Sequence, residues 1–206
     1  MVPSRPRRVT QLSRSFYERP GTEVAPELLN KVLVAPGVRG RIVEVEAYMG
    51  AEDPGSHAYR GPTPRTEVMF GRAGHLYVYF SYGMHWCANV VCGDEGVASA
   101  VLLRAVTPLD GLERMRERRP RARRDVDLTN GPAKLAAAFG LDGEHDGLDL
   151  QRNRRGVRVI DDGVAPPTDP ACGVRVGLTR GADIPWRWAV AGVAEVSRPR
   201  PVTPSR

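Results

Sequence analysis

The sequence predicts an α+β fold in a single compact domain, in which a curved antiparallel β-sheet is surrounded by helices. Three consecutive stretches between residues 74 and 106 are rich in β-branched and aromatic residues and are joined by short glycine-containing turns, as in an antiparallel meander. Helical patterns lie before and after this region. With 206 residues, of which 41% are hydrophobic, the chain can bury one sizeable core, and no linker or repeat divides it.

The chain is strongly basic. All of its 30 basic residues except Lys31 and Lys134 are arginines, and the formal net charge is +6. Because arginine forks bind phosphate in a bidentate way, this balance predicts a polyanionic partner, most simply nucleic acid. An arginine-rich genome would produce the same bias and explains the charge alone equally well.

Membrane, secreted and metal-binding proteins are the disfavoured classes. No apolar run approaches the ~18 residues of a membrane span, and no apolar segment follows the basic N-terminus as it would in a secretory signal. Cys87, Cys92 and Cys172 are odd in number and lack CxxC spacing, which argues against a disulfide framework and a zinc site. We therefore expect a cytoplasmic protein without a structural metal.

Taken in chain order, the first elements are an arm and a helix. Residues 1–10 are predicted to form a flexible basic arm and residues 198–206 a flexible, proline-rich tail, so that the folded domain covers residues 11–197. Pro26 suits the first turn of a helix, and Thr22 could cap that helix only if it began a turn earlier. The apolar stripe of the helix would be Leu28, Leu29, Val32 and Leu33.

The next element is a strand over residues 41–48 that carries acids on one face. Alternation places Val43, Val45 and Ala47 on one face and Glu44, Glu46 and Tyr48 on the other. A loop containing glycine and proline then leads to His57. A carboxylate, an aromatic ring and an imidazole can converge on one pocket here, although an edge strand with solvated acids is the alternative. The loop continues to Thr63 and Arg65, whose side chains could touch phosphates or simply be solvated.

The predicted meander follows. In its first strand Leu76, Val78 and Phe80 share one face and Tyr77 and Tyr79 the other. Tyr82 and Gly83 form the turn to the second strand, where Asn89 shares a face with Cys87 and Val91. The third strand, residues 98–106, carries Arg104. A tyrosine at a hairpin tip of a basic protein is a candidate wedge between nucleic-acid bases.

The remaining elements are shorter. Asp110 is predicted to cap a helix carrying Leu112 and Met115, and a run of arginines over residues 116–124 would be solvated. Pro132 and Gly140 bound another helix, whose N-terminus could receive a phosphate near Lys134. Further strands are predicted over residues 157–160, 174–178 and 193–196.

Read together, these segments resemble the alkyladenine DNA glycosylase family, also called the 3-methyladenine DNA glycosylases. The longer matching strings are GRIVEVEAY (40–48), TPR (63–65), LYVY (76–79), YGM (82–84), VLLR (101–104), GPAKL (131–135) and RVG (175–177). The shorter matches are Glu52–Asp53, His57, Met69–Phe70 and Asn89. Together these matches span roughly residues 10–190. The resemblance implies one domain, similar to a formyltransferase C-terminal domain, with a β-hairpin that enters the DNA minor groove.

The resemblance also implies roles for individual residues. Glu46 would activate the water, held by Arg104 and the backbone carbonyl of Val176, that hydrolyses the N-glycosidic bond. The base-pocket residues would be Tyr48, His57, Tyr79 and Asn89, of which Asn89 would crowd the 2-amino group of guanine. Tyr82 would fill the gap left by the flipped nucleotide. Contacts to the DNA backbone or flanking bases would come from Thr63, Arg65, Met69, Met84 and Lys134.

The implied enzyme is a monomer that acts on double-stranded DNA containing damaged purines, without a cofactor or metal, in the cytoplasm or on a bacterial nucleoid. Its substrates would be 3-methyladenine and 7-methylguanine, with hypoxanthine and ethenoadenine as further candidates. His85 departs from the tyrosine common at its position, which affects lesion preference more than reaction class. The alternatives are an N-glycosidase acting on nucleosides or RNA and a non-catalytic module that binds DNA lesions.

Overall fold

The computed structural model describes residues 9–152 and 155–201. Its strands are β1 (Thr10–Gln11), β2 (Val32–Ala35), β3 (Val38–Tyr48), β4 (Leu76–Ser81), β5 (His85–Val91), β6 (Ala100–Asp110), β7 (Arg158–Asp161), β8 (Ala171–Gly173) and β9 (Arg187–Ala189). Its α-helices are α1 (Arg14–Tyr17), α2 (Gly21–Leu28), α3 (Leu112–Arg118) and α4 (Pro132–Phe139). The predicted α+β class, with a single curved antiparallel sheet, is confirmed.

The sheet is organised around β3. The strand order is β1-β7-β2-β3-β6-β5-β4, and the second half of β3 also pairs with β9, which in turn pairs with β8. Each of the paired strands is antiparallel to its neighbour. Helices α2 and α4 pack on the apolar face, where Ile42, Val45 and Leu103 are fully buried. The opposite face of β3 and β6 is therefore free to carry polar groups.

A β-bulge in β3 changes the predicted alternation. The register with β6 shifts on both sides of Glu44, so Val43 packs with Ala105 and Ala189 and not with Val45. The prediction that Val43 shares a face with Val45 and Ala47 was wrong, because a bulge inserts an extra residue into the alternation. Glu44 and Glu46 remain on one side, and both are completely buried, so the solvated-acid alternative is excluded.

The predicted first helix was wrong in position. Helix α2 begins at Gly21, a turn earlier than expected, and places Pro26 in its interior, with Pro20 as its N-terminal cap residue. Val32 and Leu33 belong to strand β2, which pairs with both β3 and β7. Backbone pairing on two sides outweighs the helical spacing of these apolar residues, since β-branched valines also fit a buried strand.

Two strands predicted near the C-terminus were also wrong. Residues 174–178 and 193–196 form loops, whereas β8 and β9 lie at Ala171–Gly173 and Arg187–Ala189. Gly177 has a φ of 79°, which favours a turn over an extended strand. Asp110 ends β6 and does not cap α3, whose cap residue is Gly111.

The meander prediction is confirmed, with β4, β5 and β6 joined in order. Leu76 and Val78 face the main core, and Tyr77 and Tyr79 face the other side. The β4–β5 turn places Tyr82 at its tip with a φ of 50° and leaves 81% of the residue exposed. A large ring in a strained, exposed position has no role in packing.

The arginine run is largely exposed, as predicted, and several of its side chains form ion pairs and hydrogen bonds. Arg116 pairs with Asp125, and Arg124 pairs with Asp127. Arg118 donates a hydrogen bond to the carbonyl of Ala138, and Arg119 donates one to the carbonyl of Leu128. The run therefore ties α3 to α4 and to the turn between them.

The predicted division into arm, domain and tail stays a prediction. Residues 1–8 of the arm and 202–206 of the tail lie outside the described residues. Thr10 pairs with Asp161 in the sheet, and the carbonyls of Ser197 and Pro199 accept hydrogen bonds from Arg187. No helix of the described chain is long and apolar enough to cross a membrane.

Candidate active site

A cavity of about 530 Å³ opens on the polar side of the sheet. Its walls come from the β4–β5 hairpin, the loop after β3, strand β6 and the loop following β8. The lining side chains include Tyr48, His57, Arg65, Tyr77, Tyr79, Cys87, Asn89, Leu102, Arg104 and Val176. Most of the cavity is therefore formed by the meander and by the loops that follow β3 and β8.

Glu46 lies beneath the cavity and is held by three donors. The hydroxyl of Tyr48 donates to Oε2 over 2.9 Å, and the amide of Val176 donates to Oε1 over 2.8 Å. Arg104 Nη1 lies 3.1 Å from Oε2. Because all three partners line the cavity, Glu46 is placed at its base with a fixed carboxylate orientation.

A second buried acid, Glu44, fixes Arg104. Its Oε1 accepts hydrogen bonds of 2.7 Å from Nε of Arg104 and from Nε of Arg187, and its Oε2 accepts one from the amide of Ser197. Burial raises the pKa of Glu44, but the charges of Arg104 and Arg187 outweigh it and hold that pKa below its usual value. Glu44 is therefore ionised and keeps Arg104 directed at Glu46.

A buried ion pair fixes the loop that carries Val176. Arg175 and Asp53 are both fully buried and joined through two hydrogen bonds, and Arg175 also donates to the carbonyl of Ala47. The Arg175 guanidinium lies 4.7 Å from the centre of the Tyr48 ring. Since Val176 is the next residue, this pair positions the amide that binds Glu46.

Aromatic rings form the upper wall. Tyr77 and Tyr79 are stacked with ring centres 5.4 Å apart, and His57 meets Tyr79 edge-on at 4.6 Å. Nδ1 of His57 lies 3.2 Å from the Tyr77 hydroxyl. Asn89 donates through Nδ2 to the carbonyl of Tyr77, which fixes its amide group. The wall suits a flat, electron-poor ring.

The tyrosines of this wall are neutral at physiological pH. Burial raises the pKa of Tyr77 to about 12 and also raises the pKa of Tyr48 and Tyr79. The pKa of His57 is lowered, first by burial and second by the charge of Arg65. The cavity therefore presents neutral aromatic faces above a buried carboxylate.

Comparison with known proteins decides the family. The family model described as methylpurine-DNA glycosylase matches residues 15–194. The chain belongs to the methylpurine-DNA glycosylase family. This confirms the resemblance, and the protein is accordingly a DNA glycosylase of base-excision repair that hydrolyses N-glycosyl bonds of alkylated purines.

Curated relatives match this chain over nearly their full length. A protein of Burkholderia lata is 57% identical over 189 residues, which are 91% of each chain. A protein of Streptomyces avermitilis is 47% identical, covering 96% of this chain and 95% of its own. One of Bradyrhizobium diazoefficiens is 44% identical and covers 96% of both. All three carry the name "Putative 3-methyladenine DNA glycosylase".

The glycosylase structure brings most of the predicted site residues together. Those that line the cavity are Tyr48, His57, Arg65, Met69, Tyr79, Tyr82, Asn89, Arg104 and Val176, and Glu46 lies directly behind three of them. The observed contact of Val176 uses its amide, whereas its carbonyl was predicted to hold water. Met69 is buried under Tyr77 and Tyr79, and not at the outer surface expected of a DNA-flanking contact.

The remaining predicted DNA contacts lie outside the cavity. Thr63 bonds to Thr66 in the surface loop, Met84 is 67% exposed near the hairpin tip, and Lys134 bonds to Asn130 at the start of α4. None of these three lines the cavity above Glu46. Their roles as DNA contacts stay predictions.

Sequence reasoning missed several residues that the glycosylase site uses. Glu44 was noticed as an acid on the same face as Glu46, but its partners Arg187 and Ser197 are more than 140 residues away along the chain. Asp53 and Arg175 belong to the strings that resemble the family, but no function was predicted for either residue. Tyr77 shared the predicted face of Tyr79, and that alternation was the available signal for its place in the wall.

The effect of Arg65 on His57 can be measured directly. In Arg65→Gln the pKa of His57 is expected to rise, because a nearby positive charge that opposes protonation is removed. Its ring resonances, followed by NMR across the pH range, give that pKa. Arg60→Gln, an exposed arginine of the same loop, is the control and should leave it unchanged. A pKa that stays the same in Arg65→Gln would show that burial alone lowers it.

Proposed function

We propose that the protein flips 3-methyladenine and 7-methylguanine out of duplex DNA into the cavity and cleaves their N-glycosidic bonds with water activated by Glu46. The observation that carries the proposal is the buried carboxylate at the base of an aromatic cavity, bonded to Tyr48, Arg104 and Val176. Deaminated and etheno-modified purines form the wider range to be tested.

The chemistry follows from the placement of Glu46. Departure of the base leaves an oxocarbenium-like sugar, which a carboxylate stabilises while it takes a proton from the attacking water. Glu46 is fully buried beneath the cavity, and the Tyr48 hydroxyl bonds to its Oε2. In the proposed reaction, water replaces this hydroxyl when Tyr48 stacks on the flipped base.

The walls explain why an alkylated purine would be selected. Methylation at N3 or N7 gives the purine a positive charge, which makes it a good leaving group and attracts it to the electron-rich faces of the tyrosines. His57, with its lowered pKa, adds no opposing charge at neutral pH. Asn89, whose amide group donates to the Tyr77 carbonyl, would crowd the 2-amino group of undamaged guanine.

The exposed ring of Tyr82 gives a prediction about DNA. If it fills the gap left by the flipped nucleotide, Tyr82→Ala loses stacking of roughly 1–3 kcal/mol. Base release from duplex should then fall about 5- to 150-fold, while thermal stability is unchanged, because Tyr82 is 81% exposed. Tyr59→Ala removes another exposed ring and should have no effect. Equal rates for native protein and Tyr82→Ala would exclude the wedge role.

The substrate range is tested by free-base release from two duplexes, one methylated and one containing hypoxanthine. Release from the methylated duplex alone would indicate a range limited to cationic lesions, and release from both a broad one. Binding to both without release would indicate the non-catalytic module.

We also propose that the protein acts as a monomer, since one chain supplies all groups around Glu46. Size-exclusion chromatography with light scattering tests this oligomeric state.

A further inference from the structure

A second cleft, of about 560 Å³, lies on the other side of Arg104 from the base cavity. It is formed by the end of the described chain, the turn before α4 and the first turn of α4. The residues that line it include Arg104, Arg124, Asp127, Asn130, Gly131, Lys134, Ser197, Arg198 and Arg200. The side chain of Arg104 lines both cavities.

The cleft carries more positive charge than its own carboxylate neutralises. Asp127 pairs with Arg124, and Arg104 is matched by the buried acids Glu44 and Glu46. Lys134 bonds to the neutral amide oxygen of Asn130, and Arg200 donates to the neutral carbonyl of Ala194. Among the described residues, no carboxylate forms an ion pair with Lys134, Arg198 or Arg200. Three cations therefore border the cleft with no carboxylate bonded to them among the described residues.

The segment that bears two of these cations is anchored in the site. The amide and hydroxyl of Ser197 bond to Glu44, and Arg187 donates to the carbonyls of Ser197 and Pro199. Ser197 is buried, whereas Arg198 and Arg200 are exposed. Glu44, which holds Arg104, therefore also fixes Ser197 and so positions Arg198 and Arg200 along the cleft.

We infer that this cleft binds a phosphodiester flanking the flipped nucleotide, through Arg198, Arg200 and Lys134. The inference rests on the proposed function, because the reacting sugar must lie near Glu46 and Arg104, and its phosphates are covalently attached to it. A diester held on the far side of Arg104 would fix the strand while the base occupies the aromatic cavity. Cationic side chains satisfy the anionic oxygens of a diester through charge-assisted hydrogen bonds.

The test combines a change in the protein with a change in the DNA. Native protein and Arg198→Gln/Arg200→Gln are compared for binding to a duplex with an abasic-site analogue, which does not require base release. The phosphodiester on either side of the analogue is replaced in turn by an uncharged methylphosphonate. Arg121→Gln, an exposed arginine outside the cleft, is the protein control, and a methylphosphonate in the distal arm of the duplex is the DNA control.

We expect the double variant to bind natural duplex roughly 10-fold or more weakly, since it loses charged hydrogen bonds. The slope of log affinity against log salt should become shallower by about one unit for the lost phosphate contact. Adding sodium phosphate in place of chloride at equal ionic strength would distinguish a general anion site, which free phosphate blocks, from one that requires the diester in its strand.

The diagnostic result is that the difference in affinity between native protein and double variant disappears on one of the two modified duplexes. If the cleft holds a flanking phosphodiester, native protein and double variant should bind equally when that phosphodiester is uncharged. An unchanged difference on both modified duplexes, or full affinity of the double variant on natural duplex, would overturn the inference. Base release by native protein from an alkylated duplex is measured alongside, so failure of the proposed reaction is seen separately from failure of the phosphate site.

Discussion

Glu46→Gln is expected to abolish most base release while leaving DNA binding intact. Glutamine keeps the shape of the side chain but cannot take a proton from water, and loss of a general base typically costs about 10²- to 10⁴-fold in rate. Arg104 and Val176 remain in place around the new amide. Single-turnover release of modified purine from duplex DNA gives the rate.

The control for this prediction is Glu52→Gln, which removes an exposed acid from the loop after β3 and should keep the native rate. Binding of each variant to a duplex with an abasic-site analogue shows whether the site is still formed. A rate for Glu46→Gln within a few-fold of native would contradict the assignment of Glu46 as the base.

Glu44→Gln is expected to produce the largest loss of stability. The carboxylate of Glu44 is the shared acceptor of two buried arginines and of Ser197. A neutral amide would remove the carboxylate that pairs with Arg187 and would leave Arg104 with Glu46. Breaking a buried ion pair typically costs about 3–5 kcal/mol. Urea unfolding followed by circular dichroism measures this change in the free energy of unfolding.

Acid gives an independent check on Glu44. Glu44 has a lower pKa in the folded protein than in the unfolded chain. Its ionisation therefore stabilises the fold at pH values above the pKa of the unfolded chain. This stabilisation is lost as the pH falls through the pKa of the folded protein. Native protein should therefore lose stability below about pH 4.5 more steeply than Glu44→Gln. Glu113→Gln, which removes an exposed ion pair, is the control and should change stability by less than about 1 kcal/mol. Parallel pH profiles for native and Glu44→Gln would contradict the buried network.

The sequence predicted the meander and much of the cavity because both depend on local pattern. Alternation over β4 placed Tyr77 and Tyr79 on one face, and the Tyr82–Gly83 turn follows from a hairpin with glycine at its tip. The residues around Glu46 entered through family resemblance. Alternation placed Val43 on the wrong face, because a bulge has no clear mark in a single sequence.

The parts that could not be predicted depend on partners distant in the chain. Val32 and Leu33 have helical spacing relative to Leu28 and Leu29, and only pairing with β3 and β7 makes them a strand. The loop at Arg175 resembles a strand in composition, but its buried bond to Asp53 holds it as a loop against Glu46. Likewise, the bond of Ser197 to Glu44 joins residues that no local pattern relates.

The most direct test of the central claim is to identify the product formed from methylated duplex DNA by the native protein. Chromatography with mass spectrometry should show free 3-methyladenine or 7-methylguanine accumulating in solution. The DNA strand should remain unbroken until the resulting abasic sites are cleaved by alkali. Release of modified nucleosides or nucleotides, or no release of free base from DNA that the protein binds, would contradict hydrolysis of the N-glycosidic bond at this site.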